Sequence, residues 1–171
     1  MNQTDAPLLK WLQTANLERC VALTLTHRKY AKLKNNPTRA NFRASIINYH
    51  TLSDTIDCSK NFRLFMNMMN RKIHGRHFKK HATFLSVIPI LETDRSGYHY
   101  HCLLERPNMM IKDYAALISK SWNRTPHGAP FNRVTHAYNT SGFLSYMTKV
   151  VDSQDRLDLD NMNVNSWVKP L

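Results

Sequence analysis

Apolar residues at Phe62, Phe65, Met66, Met69 and Ile73 are spaced by three and four, which predicts a helix from Ser59 to Ile73 packed by one face. Gly75 is positioned to end it. Elsewhere the period shortens to that of strands. CVALTLT (20–26) is apolar and β-branched, and Ala22, Thr24 and Thr26 share one side of the strand it predicts. ATFLSVIPILE (82–92) predicts a second strand, TDRSG a turn, and YHYHCLLE (98–105) the antiparallel return of a hairpin. Ile111 to Trp122 predicts a further helix, NRTPHGAP a loop, and FNRVTHAY (131–138) an alternating strand.

A short helix over Leu8 to Leu17 precedes this series, and FLSYMTKVV follows it as a last helix after Ser141 and Gly142. The order β, α, β, β, α, β predicts an α+β fold of ferredoxin-like or RRM-like type, an antiparallel sheet of about four to five strands with helices mainly on one face. At 171 residues the chain is expected to form one domain, residues 1–171, with its core over about 19–151. The acidic stretch DSQDRLDLD (152–160) opens a C-terminal tail, 152–171, that is either mobile or an added cover. No internal repeat is present.

Charge narrows the partner. With 24 Lys and Arg against 12 Asp and Glu, a formal net charge of +12 favours a polyanion, nucleic acid before an acidic membrane surface. Residues 28–43 hold six Lys and Arg and no acid, and residues 59–91 hold seven and no acid. Candidate phosphate contacts are Arg28, Lys29, Lys32, Lys34, Arg71, Lys72, Arg76, Lys79 and Lys80, with Tyr30 and Phe42 as candidate stacking residues. The glycines at 75, 97, 128 and 142 form no GxxxxGK[ST] or GxGxxG pattern, so no nucleotide cofactor is expected. No long apolar run or basic leader is present, and Cys20, Cys58 and Cys102 have no CxxC spacing, so a cytoplasmic protein without a membrane span is expected.

The candidate chemistry lies in YHYHCLLE. On a strand, His99 and His101 share one face while Tyr98, Tyr100 and Cys102 share the other. Two adjacent imidazoles either bind a metal or sit as polar residues on a wet sheet face. Glu92 ends the preceding strand, and a tight hairpin brings it opposite His99 with Cβ atoms about 5 Å apart. Two imidazoles and a carboxylate suit one divalent ion with open positions. Mg²⁺ or Mn²⁺ fits if substrate and water oxygens complete the shell, Zn²⁺ or Fe²⁺ on intrinsic preference.

On the last helix Phe143, Met147, Val150 and Val151 form the apolar stripe, and Tyr146 and Lys149 are neighbours on another. A phenol with a pKa of about 10 is a poor nucleophile unless an ammonium and a metal-bound phosphate favour its phenolate. The alternative is a surface tyrosine leaning over a lysine stem. His74, His77 and His81 lie among too many cations to suit a second metal.

The strand VALTLT, the E-x6-H-x-H pattern of Glu92, His99 and His101, and YMTK at 146–149 occur in that order. As an ordered set over about residues 19–151, they resemble the His-hydrophobe-His (HUH) endonucleases, which include rolling-circle Rep proteins, single-tyrosine transposases and, more distantly, relaxases. The resemblance implies a ferredoxin-like sheet on which His99, His101 and Glu92 hold Mg²⁺ or Mn²⁺. It implies Tyr146 as the nucleophile on a DNA phosphate and Lys149 as the lysine of a YxxK motif. No second tyrosine follows three or four residues later, so the one-tyrosine class is the one resembled. Tyr100 between the histidines is bulkier than the usual aliphatic residue.

The implied activity is metal-dependent nicking and rejoining of DNA through a 5′-phosphotyrosine, on single-stranded DNA or a DNA hairpin at an origin or element end. It serves rolling-circle replication, with a separate helicase borrowed for long duplexes, or transposition by the same chemistry. Two rivals stand beside it. One is a non-catalytic RRM-like nucleic-acid-binding module, although no RNP-type K/R-G-F/Y-G/A-F sequence occurs. The other is a non-haem Fe²⁺ oxygenase built on two histidines and a carboxylate, which neither the basic surface nor the element order favours.

Overall fold

A computed structural model describes residues 17, 19–30, 52, 54–137, 142–143, 156–164 and 167. Strand β1 (Cys20–His27) is followed by helix α1 (Thr55–His74), the hairpin β2 (Val87–Asp94) and β3 (Gly97–Glu105), helix α2 (Ile111–Trp122), strand β4 (Gly128–His136) and a short strand β5 (Arg156–Leu157). The sheet order is β4-β1-β3-β2-β5, and every neighbouring pair is antiparallel. Its first four strands and two helices form the ferredoxin-like α+β arrangement that the alternation of elements predicts, with the helices on one face.

Helix α1 starts four residues before the apolar stripe suggests, because Asp54 caps it: its carboxylate accepts the Asp57 N–H at 2.9 Å. Cys58, Phe62, Phe65, Met66 and Met69 then face the sheet, and Gly75 forms the C-cap. Helix α2 covers the span predicted for it and buries Tyr114, Ile118 and Trp122. The main core lies between these helices and Val21, Leu23, Leu25, Val87, Leu91, Tyr100, Cys102 and Leu104 of the sheet. The opposite face carries a smaller cluster of Leu17, Cys20, Ile88, Ile90, Leu103, Val164 and Trp167.

Three boundaries differ from the sequence expectation. Strand β2 begins at Val87, not residue 82: Ala82 takes φ +51°, and the Leu85 and Ser86 N–H groups donate to Asn70 Oδ1 and Glu105 Oε2. The β2–β3 hairpin is tighter than TDRSG suggests. Thr93 and Asp94 stay in the ladder, Asp94 Oδ1 accepts the Ser96 N–H at 2.7 Å, and Gly97 supplies φ +116°. Strand β4 begins at Gly128 inside the stretch expected to be a loop. There the backbone passes so close to α2 that a Cβ on Gly128 would lie 1.9 Å from the Trp122 carbonyl oxygen. The helix expected over Leu8 to Leu17 lies outside the described residues except for Leu17, which is buried; Gly142 and Phe143 are helical.

Part of the acidic C-terminal segment packs on the sheet. Leu157 pairs with Ile90 and Arg156 with Leu91 on the outer edge of β2, and Asn163 bridges Val87. The Pro89 carbonyl, on the edge where this strand's missing N–H is harmless, accepts the Asp158 N–H at 3.0 Å.

Two outcomes follow. Gly128→Ala is expected to cost about 3 kcal/mol through overpacking, read as a fall in denaturation midpoint; an unchanged midpoint contradicts the close approach to α2. His27 is buried against Trp122 and Tyr100, with ring centroids 4.9 and 5.6 Å away. Burial lowers its pKa from 6.5 to about 3; a backbone interaction with Tyr98 opposes this, and the charges of His127 and His99 add to it. Between those values the unfolded chain holds a proton that the fold does not, so stability is complete above pH 6.5 and falls as the pH drops toward 3. That loss is about 2 kcal/mol by pH 5, and His27→Phe is expected to remove it from the pH dependence of Tm. Parallel Tm curves for the two proteins would refute this account.

Candidate metal centre

The antiparallel register determines which side chains meet. Glu92 pairs with His99, and His99 with Thr26; Ile90 pairs with His101, and His101 with Thr24. Cross-strand partners share a face, so Glu92, His99, His101, Thr24 and Thr26 all project from the side of the sheet opposite α1 and α2. Tyr100 and Cys102 project into the main core and are fully buried.

Three ligand-bearing side chains converge there. Glu92 Oε2 lies 3.0 Å from His101 Nε2 and 3.7 Å from His99 Nε2. The two imidazole centroids are 5.7 Å apart with the rings nearly perpendicular. One ligand atom from each residue falls within 4.8 Å of the others, and all three residues are half-buried. Metal–ligand bonds of about 2.0–2.2 Å place neighbouring ligands about 3 Å apart, so only small rotamer changes separate this arrangement from a coordinated one. Glu92, His99 and His101 can therefore hold a metal ion.

Two further residues shape the centre. Thr24 Oγ1 lies 3.4 Å from His101 Nδ1, a long hydrogen bond that leaves Nε2 directed at Glu92. Asp94 Oδ2 lies 3.6 Å from His99 Nε2. Hydrogen bonds from the Ser96 side chain and then its backbone hold the exposed Asp94 carboxyl below the usual range, and the charge of His99 acts in the same direction. Thr24 was legible only as a face-sharing residue, and Asp94 was hidden inside the expected turn. Alternation on both hairpin strands is the signal that identifies them.

The remaining predicted site residues separate into groups. Arg28 and Lys29 follow β1 at the same end of the sheet as His99. The Arg28 guanidinium donates to the Gly128 carbonyl at 2.5 and 2.8 Å, and the Lys29 ammonium lies 5.8 Å from the Tyr30 ring centroid. Arg71, Lys72, Arg76, Lys79 and Lys80 are exposed and lie beyond Val87, at the opposite end. Five strand residues, about 17 Å, separate Val87 from Glu92, so the sheet does not bring this group to the metal centre. Lys32, Lys34, Tyr146 and Lys149 lie outside the described residues.

No protein-family model, curated protein or solved structure matches the chain. No helix among the described residues is long and apolar enough to cross a membrane.

Titration with Mn²⁺, followed by the loss of its free electron-spin signal, is expected to show one site that His101→Ala abolishes. Thr24→Val is expected to weaken that site about tenfold through the orientation of His101. Equal affinity in wild type and His101→Ala would refute the centre.

Proposed function

We propose that the chain is a metal-dependent endonuclease that nicks and rejoins single-stranded DNA in the manner of the HUH enzymes, with Mg²⁺ or Mn²⁺ on Glu92, His99 and His101 and Tyr146 as nucleophile. The observation that carries this reading is the convergence of the three ligands on one face of a ferredoxin-like sheet, opposite α1 and α2. Phe143 supports it: this residue, three before Tyr146, packs against the cluster containing Ile90, the cross-strand partner of His101. The formal charge of +12 supports a polyanionic substrate.

A divalent ion held by Glu92, His99 and His101 would supply Lewis-acid polarisation of the scissile phosphate. The Tyr146 phenolate attacks phosphorus in line, its oxygen forms the new P–O bond, and the P–O3′ bond breaks. The 3′ oxygen takes up a proton and leaves as a free hydroxyl, while the 5′ phosphate stays on the tyrosine. Lys149 offsets charge on the phenolate and phosphate. Reversal by a 3′-OH rejoins DNA without a nucleotide, because the phosphodiester energy is retained in the covalent link. The substrate is single-stranded DNA or a hairpin at an origin, with a separate helicase opening long duplexes, and rolling-circle initiation is the role this chemistry suits.

Incubation of labelled single-stranded oligonucleotide libraries with Mn²⁺ is expected to give a covalent protein–DNA adduct on denaturing gels. Tyr146→Phe and the double variant His99→Ala/His101→Ala are expected to remove it, and Lys149→Ala to slow it about a hundredfold. An adduct that survives Tyr146→Phe moves the nucleophile elsewhere, for example to Tyr138, outside the described residues. DNA binding with no adduct in any protein replaces the enzyme with a binding module.

A further inference from the structure

The register that brings the triad together also lays out two rows of side chains across the same face. One runs from His101 on β3 through Thr24 on β1 to Arg133 on β4; the other runs from Glu92 and His99 to Thr26. At Thr26 the β1–β4 ladder is broken by a bulge, since Leu25 pairs with Asn132 but His27 with Gly128. Bulges bend a strand and re-aim its side chains, and they concentrate beside functional sites. Phe131 immediately precedes Asn132, the last β4 residue in register with Leu25, so alternation over 131–133 puts it on the face of Arg133, at the edge of the bulge. It is the most exposed large apolar residue among those described, at 80%. An exposed phenylalanine beside an exposed arginine presents a stacking face and a positive charge together.

We infer that Phe131 and Arg133 form a base-and-phosphate subsite for single-stranded DNA, on the same sheet face as the metal-capable triad and two strands away from it. This rests on the proposed function and specifies how its substrate is held. Two inter-strand spacings put the subsite about 10 Å from His101, far enough to grip a nucleotide flanking the reacting phosphate. Every base has a π-face that can stack on the Phe131 ring, so the contact is tolerant of sequence. The Arg133 guanidinium pairs with the adjoining phosphate, and Thr24 and Thr26 leave the ground between subsite and metal polar and free of bulky side chains. A single strand is the occupant that fits, because a duplex hides its base faces and the chain is strongly cationic.

The test is binding rather than cleavage, so it is read in EDTA on the full chain carrying Tyr146→Phe. Fluorescence anisotropy with a labelled mixed-sequence DNA ten-mer is expected to show Kd raised about tenfold by Phe131→Ala and held near the parent by Phe131→Tyr. Arg133→Gln is expected to lower the slope of log K against log salt by about one. A 2-aminopurine base in the oligonucleotide is expected to be quenched on binding and to stay bright with Phe131→Ala. Unchanged affinity in Phe131→Ala, tighter binding to duplex or to RNA of the same sequence, or a dimer that Phe131→Ala dissociates without altering DNA affinity would each overturn the assignment. Because metal and nucleophile are removed, a failed nicking assay leaves this result standing, and a failed binding assay leaves the adduct assay to judge the enzyme.

Discussion

The convergence of Glu92, His99 and His101 depends on Tyr100 being held in the core. Its ring packs 4.4 Å from that of Phe62, and its hydroxyl donates to Asp158 Oδ2 at 2.6 Å. Burial, and then the Asp158 carboxylate, raise its pKa well above the ordinary range, so it stays a neutral donor. Burying a large side chain contributes roughly 2–3 kcal/mol, and the hydroxyl would forfeit much of that without an acceptor. Asp158 is itself fixed by Ser59 and Asn161, so the short acidic segment, helix α1 and strand β3 are joined through one carboxylate. Successive residues of a strand point oppositely, so fixing Tyr100 inward fixes His99 and His101 outward.

Register supplies the third ligand. A slip of one residue between β2 and β3 would turn Glu92 into the apolar core and Leu91 out into water, and both changes are costly. Leu91 is 4% exposed in the main core, and Ile88 and Ile90 are buried in the smaller cluster on the other face, so neither side of β2 tolerates the slip. The hairpin turn acts in the same direction, with Asp94 gripping Ser96 and Gly97 providing a backbone angle that other residues rarely adopt. The convergence of the ligands follows from hydrophobic alternation and one tight turn, with no separate scaffold required.

That is why this part of the molecule was legible from residues alone. Helices α1 and α2, the order of the elements and the pairing of Glu92 with His99 all follow from periods of 3.6 and two, which local sequence expresses strongly. What escaped was set by contacts between distant segments. The extension of β4 back to Gly128 depends on how α2 passes beneath it, and the pairing of residues 156–163 with β2 depends on Asp158 finding Tyr100. Thr24, Asp94, Phe131 and Arg133 were present in the pattern, but their common face appears only once the register of three strand pairs is known.

The distribution of charge resolves a conflict that composition raises, namely how a chain of net charge +12 can attract a divalent cation. The densest exposed basic run among the described residues, from Arg71 to Lys80, lies past the Val87 end of the sheet, while the triad lies at the other end beside a second carboxylate, Asp94. A separation of about 17 Å along β2 is about twice the screening length of physiological salt. Those cations therefore add little repulsion at the triad, and they add equally little local attraction for a phosphate lying on it. A polyanion engaging both must be long enough to reach around the sheet. Arg133, the cross-strand neighbour of Thr24, is the cation that shares the face of the triad.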